Sequence, residues 1–415
     1  MNTNNKKKVI VAMSGGVDSS VAAKLLSQNG REVVGIFFHF WKDSSLKKNG
    51  RAAENKCCST EALMDARRVC QKIGIPLYTL NFAGDFKKEV VDYFLSEYRK
   101  GNTPNPCVRC NKFVKLGLLI KYAKKLGFDF VASGHYARIK KTENRKQKTE
   151  VYKLFRAKDK EKDQSYFLWT FNQNELKRLL FPLGDFTKSQ TRKMAKKFKL
   201  PVAEKKDSQE VCFIPGKSHN EFLKRYIKMK PGPIKLFPPL RGDLVPPLTK
   251  GDRGIFTRSA KITTFKSPQP PLLKGEVIGK HQGLPLYTIG QRKGVEIGGT
   301  GPYYAAKFDY KKNILYVVND ANDPALFSDK LIAKNINWIS GTKPKLPFKC
   351  EAVIRYRHKT VKCKISPLVR GGRGVKIGGL SVQFSKPQRA VTPGQSIVFY
   401  KGEEVLGGGI IDRSN

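Results

Sequence analysis

No stretch of the 415-residue chain approaches the roughly 20 consecutive apolar residues that a membrane helix needs, so no helical span and no membrane partner are expected. The opening residues, MNTNNKKK, have neither the apolar centre of a secretory signal nor the Arg-rich amphipathic pattern of a transit peptide, and a cytoplasmic location is expected. Acidic side chains are scarce: 34 Asp+Glu stand against 80 Lys+Arg, a formal net charge of +46. That excess is spread along the chain and points to a polyanionic partner, without choosing among DNA, RNA and anionic lipid. Cysteine is thin as well. The eight, Cys57, Cys58, Cys70, Cys107, Cys110, Cys212, Cys350 and Cys363, are too scattered for the disulfide framework of a small secreted domain. In a reducing compartment each is filler, ligand or reactive thiol.

The length calls for two or three domains. Residues 7–13 form a short apolar run followed by a Gly-rich turn and a helical pattern. Strand and helix patterns then alternate to about residue 140, which predicts an α/β fold with an N-terminal parallel sheet and a ligand beyond the strand ends, near 14–19, 37–43 and 134. Residues 162–230 read as mostly helical, a small basic middle domain. After Pro231-Gly232, short β-rich runs between Gly and Pro turns predict a C-terminal β-barrel region. The expected domains are 1–161, 162–232, 233–300 and 301–415. Three segments, 238–254, 270–276 and 366–374, repeat a PPL-type peptide and read as inserted surface loops.

The motif with the most chemistry is Ser14-Gly15-Gly16-Val17-Asp18-Ser19, between a buried strand and a helix start. Two glycines expose backbone amides, two hydroxyls add donors, and the helix terminus adds positive potential, all suited to a pyrophosphate. Asp18 is placed to organise a magnesium ion. A second phosphate-like string, Gly216-Lys217-Ser218, fails as a Walker A loop because its upstream glycine position is Val211. Splitting ATP to AMP and pyrophosphate is therefore expected, rather than kinase chemistry.

SGGVDSS resembles the PP-loop ATP pyrophosphatases. Six further strings narrow that resemblance to the MnmA family of bacterial tRNA 2-thiouridylases: Asn102 to Lys112 (NTPNPCVRCNK), Ser133 to Tyr136, Lys162 to Phe167, Lys206 to Ser208 with Cys212 to Ile214, Gly290 to Gly294, and Thr392 to Ser396. The likeness runs from residue 9 to about 412. It implies that ATP, with Mg2+, meets Ala12, Met13, Ser14, Gly15, Gly16, Val17, Asp18, Ser19, Phe38 and Gly134. It also implies tRNA contacts at Asn105, Pro106, Cys107, His135, Lys162, Asp163, Gln164, Arg355, Tyr356 and Gln395. On the same resemblance the wobble uridine of a tRNA anticodon is adenylated at its C2 oxygen, sulfur arrives as a persulfide on Cys212, and Cys110 resolves it. A cysteine desulfurase or sulfur-relay protein would be the donor.

Read physically, Cys110 stands just before a helix, with Arg109 and Lys112 nearby, an arrangement expected to lower a thiol pKa. Cys212 follows the run Glu204-Lys205-Lys206. Some family members carry Asp at position 107. Cys107 gives instead a Cys-x-x-Cys spacing that, with Cys212, would suit a [4Fe-4S] cluster with one open iron, and this route stands beside the persulfide one. Two other classes remain: a PP-loop enzyme adenylating a small metabolite, and a non-catalytic basic RNA-binding protein. Neither uses both the phosphate loop and the thiols.

Overall fold

The structure is a computed structural model describing residues 6–48, 51–53, 58–144, 149–206, 212–214, 219–237, 275–295, 297, 302–368 and 379–414. Cys57, Asp207, Ser208, the 216–218 string and most of the PPL-type repeats lie outside the described residues.

Lys8–Met13 carries five successive buried side chains after its first residue, the mark of a strand covered on both faces. Fully burying each Val or Ile there contributes roughly 1.5–3 kcal/mol before entropy is counted. This strand is the centre of a five-stranded sheet ordered Leu77–Asn81, Glu32–His39, Lys8–Met13, Phe130–Ala132, Leu179–Leu180, with every pairing parallel. The helix Val17–Gln28 follows the central strand. Thr60–Ile73 is bounded by Ser59, whose hydroxyl accepts from the Ala62 N–H, and by Gly74 in the left-handed region.

Two helical runs, 83–99 and 106–125, each contain a widened i→i+5 turn, at Lys87–Asp92 and Asn111–Lys115. Such turns recur at functional sites. Gly117 is what the second requires, because a Cβ there would stand 2.0 Å from the Lys112 carbonyl oxygen.

Within the expected helical middle segment the helices Lys188–Lys197 and His219–Tyr226 form, but 165–181 departs from the expectation. Over 165–181 there is one short turn at Ser165–Phe167, one at Gln173–Leu176, and the strand Leu179–Leu180 that completes the parallel sheet. Tertiary contacts override the helical pattern: the buried Tyr166 donates its hydroxyl to Ser396 O at 2.8 Å, and Asn337 Nδ2 donates to Trp169 O and Phe171 O.

The C-terminal strands Phe327–Trp338, Leu380–Arg389, Val361–Pro367, Phe348–Val353, Ser396–Lys401 and Glu404–Ser414 hydrogen-bond in that order, and the last closes on the first as a six-stranded barrel. Leu331, Ile365, Val382, Ile397 and Phe399 fill it. Cys350 and Cys363 face each other across two strands, Sγ to Sγ 3.6 Å. The hairpin Arg138–Asn144 and Thr149–Phe155 joins this barrel through Glu404–Ser414 rather than the parallel sheet. The chain divides into two units, Met1–Lys228 with Ser328–Asn415, and Met229–Phe327, boundaries that differ from the four segments expected. In the second unit Gly232–Leu236 pairs antiparallel with Val277–His281 and parallel with Ile314–Val318, which pairs antiparallel with Tyr304–Asp309. Among the described residues no helix is long and apolar enough to cross a membrane.

Candidate active site: a phosphate loop and three thiols around one cavity

Gly15 takes φ +65°, and a Cβ on it would lie 2.2 Å from the carbonyl oxygen of Ala62, so the loop can press against the Thr60–Ile73 helix only with glycine there. Ser19 Oγ organises the turn: it lies 3.2 Å from the Ser14 N–H and from Ser14 Oγ, and donates to Gly16 O. No side chain caps the helix Val17–Gln28 at Gly16, which leaves its first amides directed at the loop. Gly134 closes the other side, where a Cβ would stand 2.7 Å from the Asp18 carbonyl carbon and the Ser19 nitrogen.

Asp18 is engaged by two side chains from other elements. Its carboxylate accepts from the Lys188 ammonium at 2.7 and 2.9 Å and from the Tyr136 hydroxyl at 2.9 Å. Lys188 opens the helix Lys188–Lys197, whose start is set by a capping box between Thr187 and Gln190.

A cavity of about 570 Å³ runs from this loop to the thiols. All ten residues expected at ATP line it, together with Cys107, Cys110 and Cys212 and, of the expected tRNA contacts, Pro106, His135, Lys162, Gln164 and Tyr356. The remaining four do not line it. Asp163 is turned inward and accepts from the Ala157 and Ser165 N–H groups and the Ser165 hydroxyl. Asn105 caps the helical turn Pro106–Cys110 by accepting from the Cys107 and Val108 N–H groups. Gln395 donates to Thr103 O at 2.8 Å and the Thr103 N–H donates to Pro393 O, so the barrel clamps the loop that carries Cys107 and Cys110. Arg355 is half-buried outside the lining. His135 is buried, with Nδ1 2.6 Å from Ser133 Oγ. Burial, aided by the Lys115 charge, lowers its pKa to about 3, and the ring is neutral at physiological pH.

Cys110 is not activated as the sequence suggested. Cys110 ends the helical turn Pro106–Cys110 within a continuing helical run, and the cations flanking it point elsewhere. Arg109 pairs with Glu89 at 2.8 Å and lies over Tyr93 and Phe113; Lys112 pairs with Glu175 at 2.6 Å. Cys107 is open to the cavity, yet desolvation by the surrounding walls, with Cys212 nearby, pushes its thiol up to about 11. Cys110 is pushed to about 12 by desolvation and by Cys212 and Cys107, with Lys115 opposing both shifts. Cys212 acts on both Cys107 and Cys110. Among the described residues no three His, Cys, Asp or Glu side chains form a group able to hold a metal ion.

Lys205 and Lys206, quoted in the run before Cys212, and Phe167, quoted in the 162–167 string, also line the cavity. Sequence reasoning missed Lys115, Lys188 and Arg357, which line it too; nothing local distinguishes them in a chain this basic. Cys58 and Cys70 are buried packing residues; burial raises Cys70 to about 12.

Residues 7–216 match the family model described as tRNA methyl transferase HUP domain, 258–319 the tRNA methyl transferase PRC-barrel domain, and 328–411 the aminomethyltransferase beta-barrel domain. A tRNA-specific 2-thiouridylase MnmA from Carboxydothermus hydrogenoformans is 41% identical over 413 residues, covering 100% of both chains. One from Clostridium tetani is 42% identical over 407 residues, with 98% of this chain and 99% of that one covered, and one from Roseiflexus sp. is 40% identical over 420 residues, with 98% and 99% covered. With near-complete coverage at this identity, the chain belongs to the MnmA family of tRNA-specific 2-thiouridylases.

Proposed function

We propose that the protein uses ATP, accompanied by magnesium, to replace the C2 oxygen of a tRNA wobble uridine with sulfur, in the cytoplasm. The observation that carries this reading is the sharing of one cavity by the phosphate loop and three thiols. The C2 oxygen attacks the α-phosphorus and pyrophosphate leaves toward the Ser14–Ser19 loop and its helix amides. The terminal sulfur of a Cys212 persulfide attacks C2 and AMP leaves. The Cys110 thiolate then attacks Cys212 Sγ, and the breaking sulfur–sulfur bond leaves its electron pair on the sulfur now held by C2. The resulting Cys110–Cys212 disulfide is reset by two electrons from an external dithiol. A cysteine desulfurase or sulfur-relay protein loads Cys212.

Lys162, Gln164 and Tyr356 are assigned to the RNA, with Tyr356 offering a ring for stacking. Its ring centroid is 4.5 Å from that of Phe167. The test is pyrophosphate release from ATP, which is expected only with tRNA present, together with the mass gain of an oxygen-to-sulfur exchange in that tRNA. Cys212→Ala is expected to keep the release and lose the exchange. Release independent of RNA would overturn the reading.

A further inference from the structure

A persulfide can serve this reaction only if its cysteine is held at the cavity, and the means of holding Cys212 is visible beside it. Within the described stretch 212–214, Phe213 is 1% exposed. Its ring stands edge-on to three others: Phe86 at 5.8 Å and 70°, Phe94 at 5.4 Å and 87°, and Phe222 at 5.6 Å and 75°. Such edge-to-face geometry is directional, so the cage fixes the orientation of the ring as well as its depth.

The cage has two sources. Phe86 and Phe94 belong to the run 83–99, and Phe222 to the helix His219–Tyr226. That helix is tied at both ends. At its start, His219 Nε2 lies 3.3 Å from the Tyr98 hydroxyl; at its end, Arg99 donates to Tyr226 O at 2.9 Å. Its last turn is also held by a carboxylate with no exposure. Asp43 accepts from Arg225 at 3.0 Å, from the Tyr226 hydroxyl at 2.5 Å and from the Ser45 hydroxyl at 2.5 Å. A charge at that depth is tolerated only with such partners, so moving the helix away would leave it uncompensated. Trp41 completes the join, edge-on to Phe222 and Tyr226.

We propose that Phe213 is a positioning residue for sulfur transfer: its ring, seated among Phe86, Phe94 and Phe222, holds Cys212 in the cavity it shares with Cys110, and Asp43 keeps that seat in place through Arg225 and Tyr226. The proposal rests on the thiolation reading. Adjacent Cα atoms are only 3.8 Å apart, so the anchored ring leaves Cys212 little room to wander.

The experiment follows disulfide formation between Cys110 and Cys212 in the full chain, driven by oxidised glutathione and quantified by peptide mass spectrometry. One thiolate displaces a glutathione to give a mixed disulfide, and the second displaces the other. Because misplacing a reacting group by about 1 Å can cost on the order of 100-fold, Phe213→Ala is expected to slow closure at least ~30-fold while tRNA-dependent pyrophosphate release changes less than ~3-fold. Phe213→Leu, which refills the cage without the edge-to-face geometry, is expected to recover closure to within about 5-fold, and Asp43→Asn to slow it about 10-fold. Closure at the parental rate in Phe213→Ala overturns the proposal. So does an equal loss of closure and pyrophosphate release in both Phe213 variants, which would make the ring a general folding element. If the unaltered protein shows no tRNA-dependent release, the thiolation reading fails, while the closure rates still decide what Phe213 does.

Discussion

The ion pair on the phosphate loop permits a quantitative test. Lys188→Met keeps the length of the side chain and removes its charge. The ammonium now donates to both oxygens of Asp18, at 2.7 and 2.9 Å, with side chains 12% and 34% exposed. Without it, Asp18 becomes an uncompensated negative charge beside a site that must accept a triphosphate. With an effective dielectric constant of about 20 and a separation of about 5 Å, one pair of like charges costs roughly 3 kcal/mol, and salt and partial exposure bring this to about 2 kcal/mol. That corresponds to about a 30-fold loss of ATP affinity. The decisive comparison is Asp18→Asn combined with Lys188→Met, in which the repelling charge is also gone. The double variant is expected to bind ATP about 10-fold more tightly than Lys188→Met alone. Calorimetric titration with a non-hydrolysable ATP analogue at 0.15 M salt measures both. If Lys188→Met binds within about threefold of the parent, or the double variant is no better than the single, Lys188 does not act through Asp18 and the electrostatic argument is wrong.

Gly134→Ala places a methyl group against the Asp18 and Ser19 backbone, where neither side can yield; overpacking of roughly 1–3 kcal/mol predicts a 5- to 150-fold weaker ATP complex in the same titration, and unchanged binding would refute the close approach. Cys110, held near 12, is expected to react with iodoacetamide slowly at pH 7, with its rate rising about tenfold per pH unit toward pH 12 as the thiolate forms. A rate that levels off by about pH 10, monitored by peptide mass spectrometry, would show an unperturbed thiol. Lys115→Met is expected to slow that reaction further at every pH below the plateau, since Lys115 opposes the upward shift.

The phosphate loop was readable from sequence because its requirements are local. A glycine at 15 and an uncapped helix start at 16–17 are properties of a few adjacent residues. Its cationic partner was not, since Lys188 is one of 80 Lys+Arg and only the approach of its helix to Val17–Gln28 distinguishes it. The thiols were found, but their electrostatics were misjudged. Proximity in sequence put Arg109 and Lys112 beside Cys110, whereas Glu89 and Glu175, distant in sequence, draw both cations away. Asp163 looked like part of an RNA-contacting string and serves as a buried acceptor for backbone amides. The segment 165–181 failed as a helix prediction because its apolar residues answer to the barrel and the sheet together. Local periodicity carries no information about either.

The clamp of the barrel on Thr103 has a consequence for the order in which the enzyme matures. The loop bearing Cys107 and Cys110 is secured by Pro393 and Gln395, and the hairpin Arg138–Asn144 and Thr149–Phe155 pairs with Glu404–Ser414. During synthesis the residues of the nucleotide loop emerge about 370 residues before Pro393 and Gln395, which brace the loop ahead of Cys107 and Cys110. Until those residues are made, the segment with Cys107 and Cys110 lacks the barrel contacts at Thr103 that hold it in the folded chain.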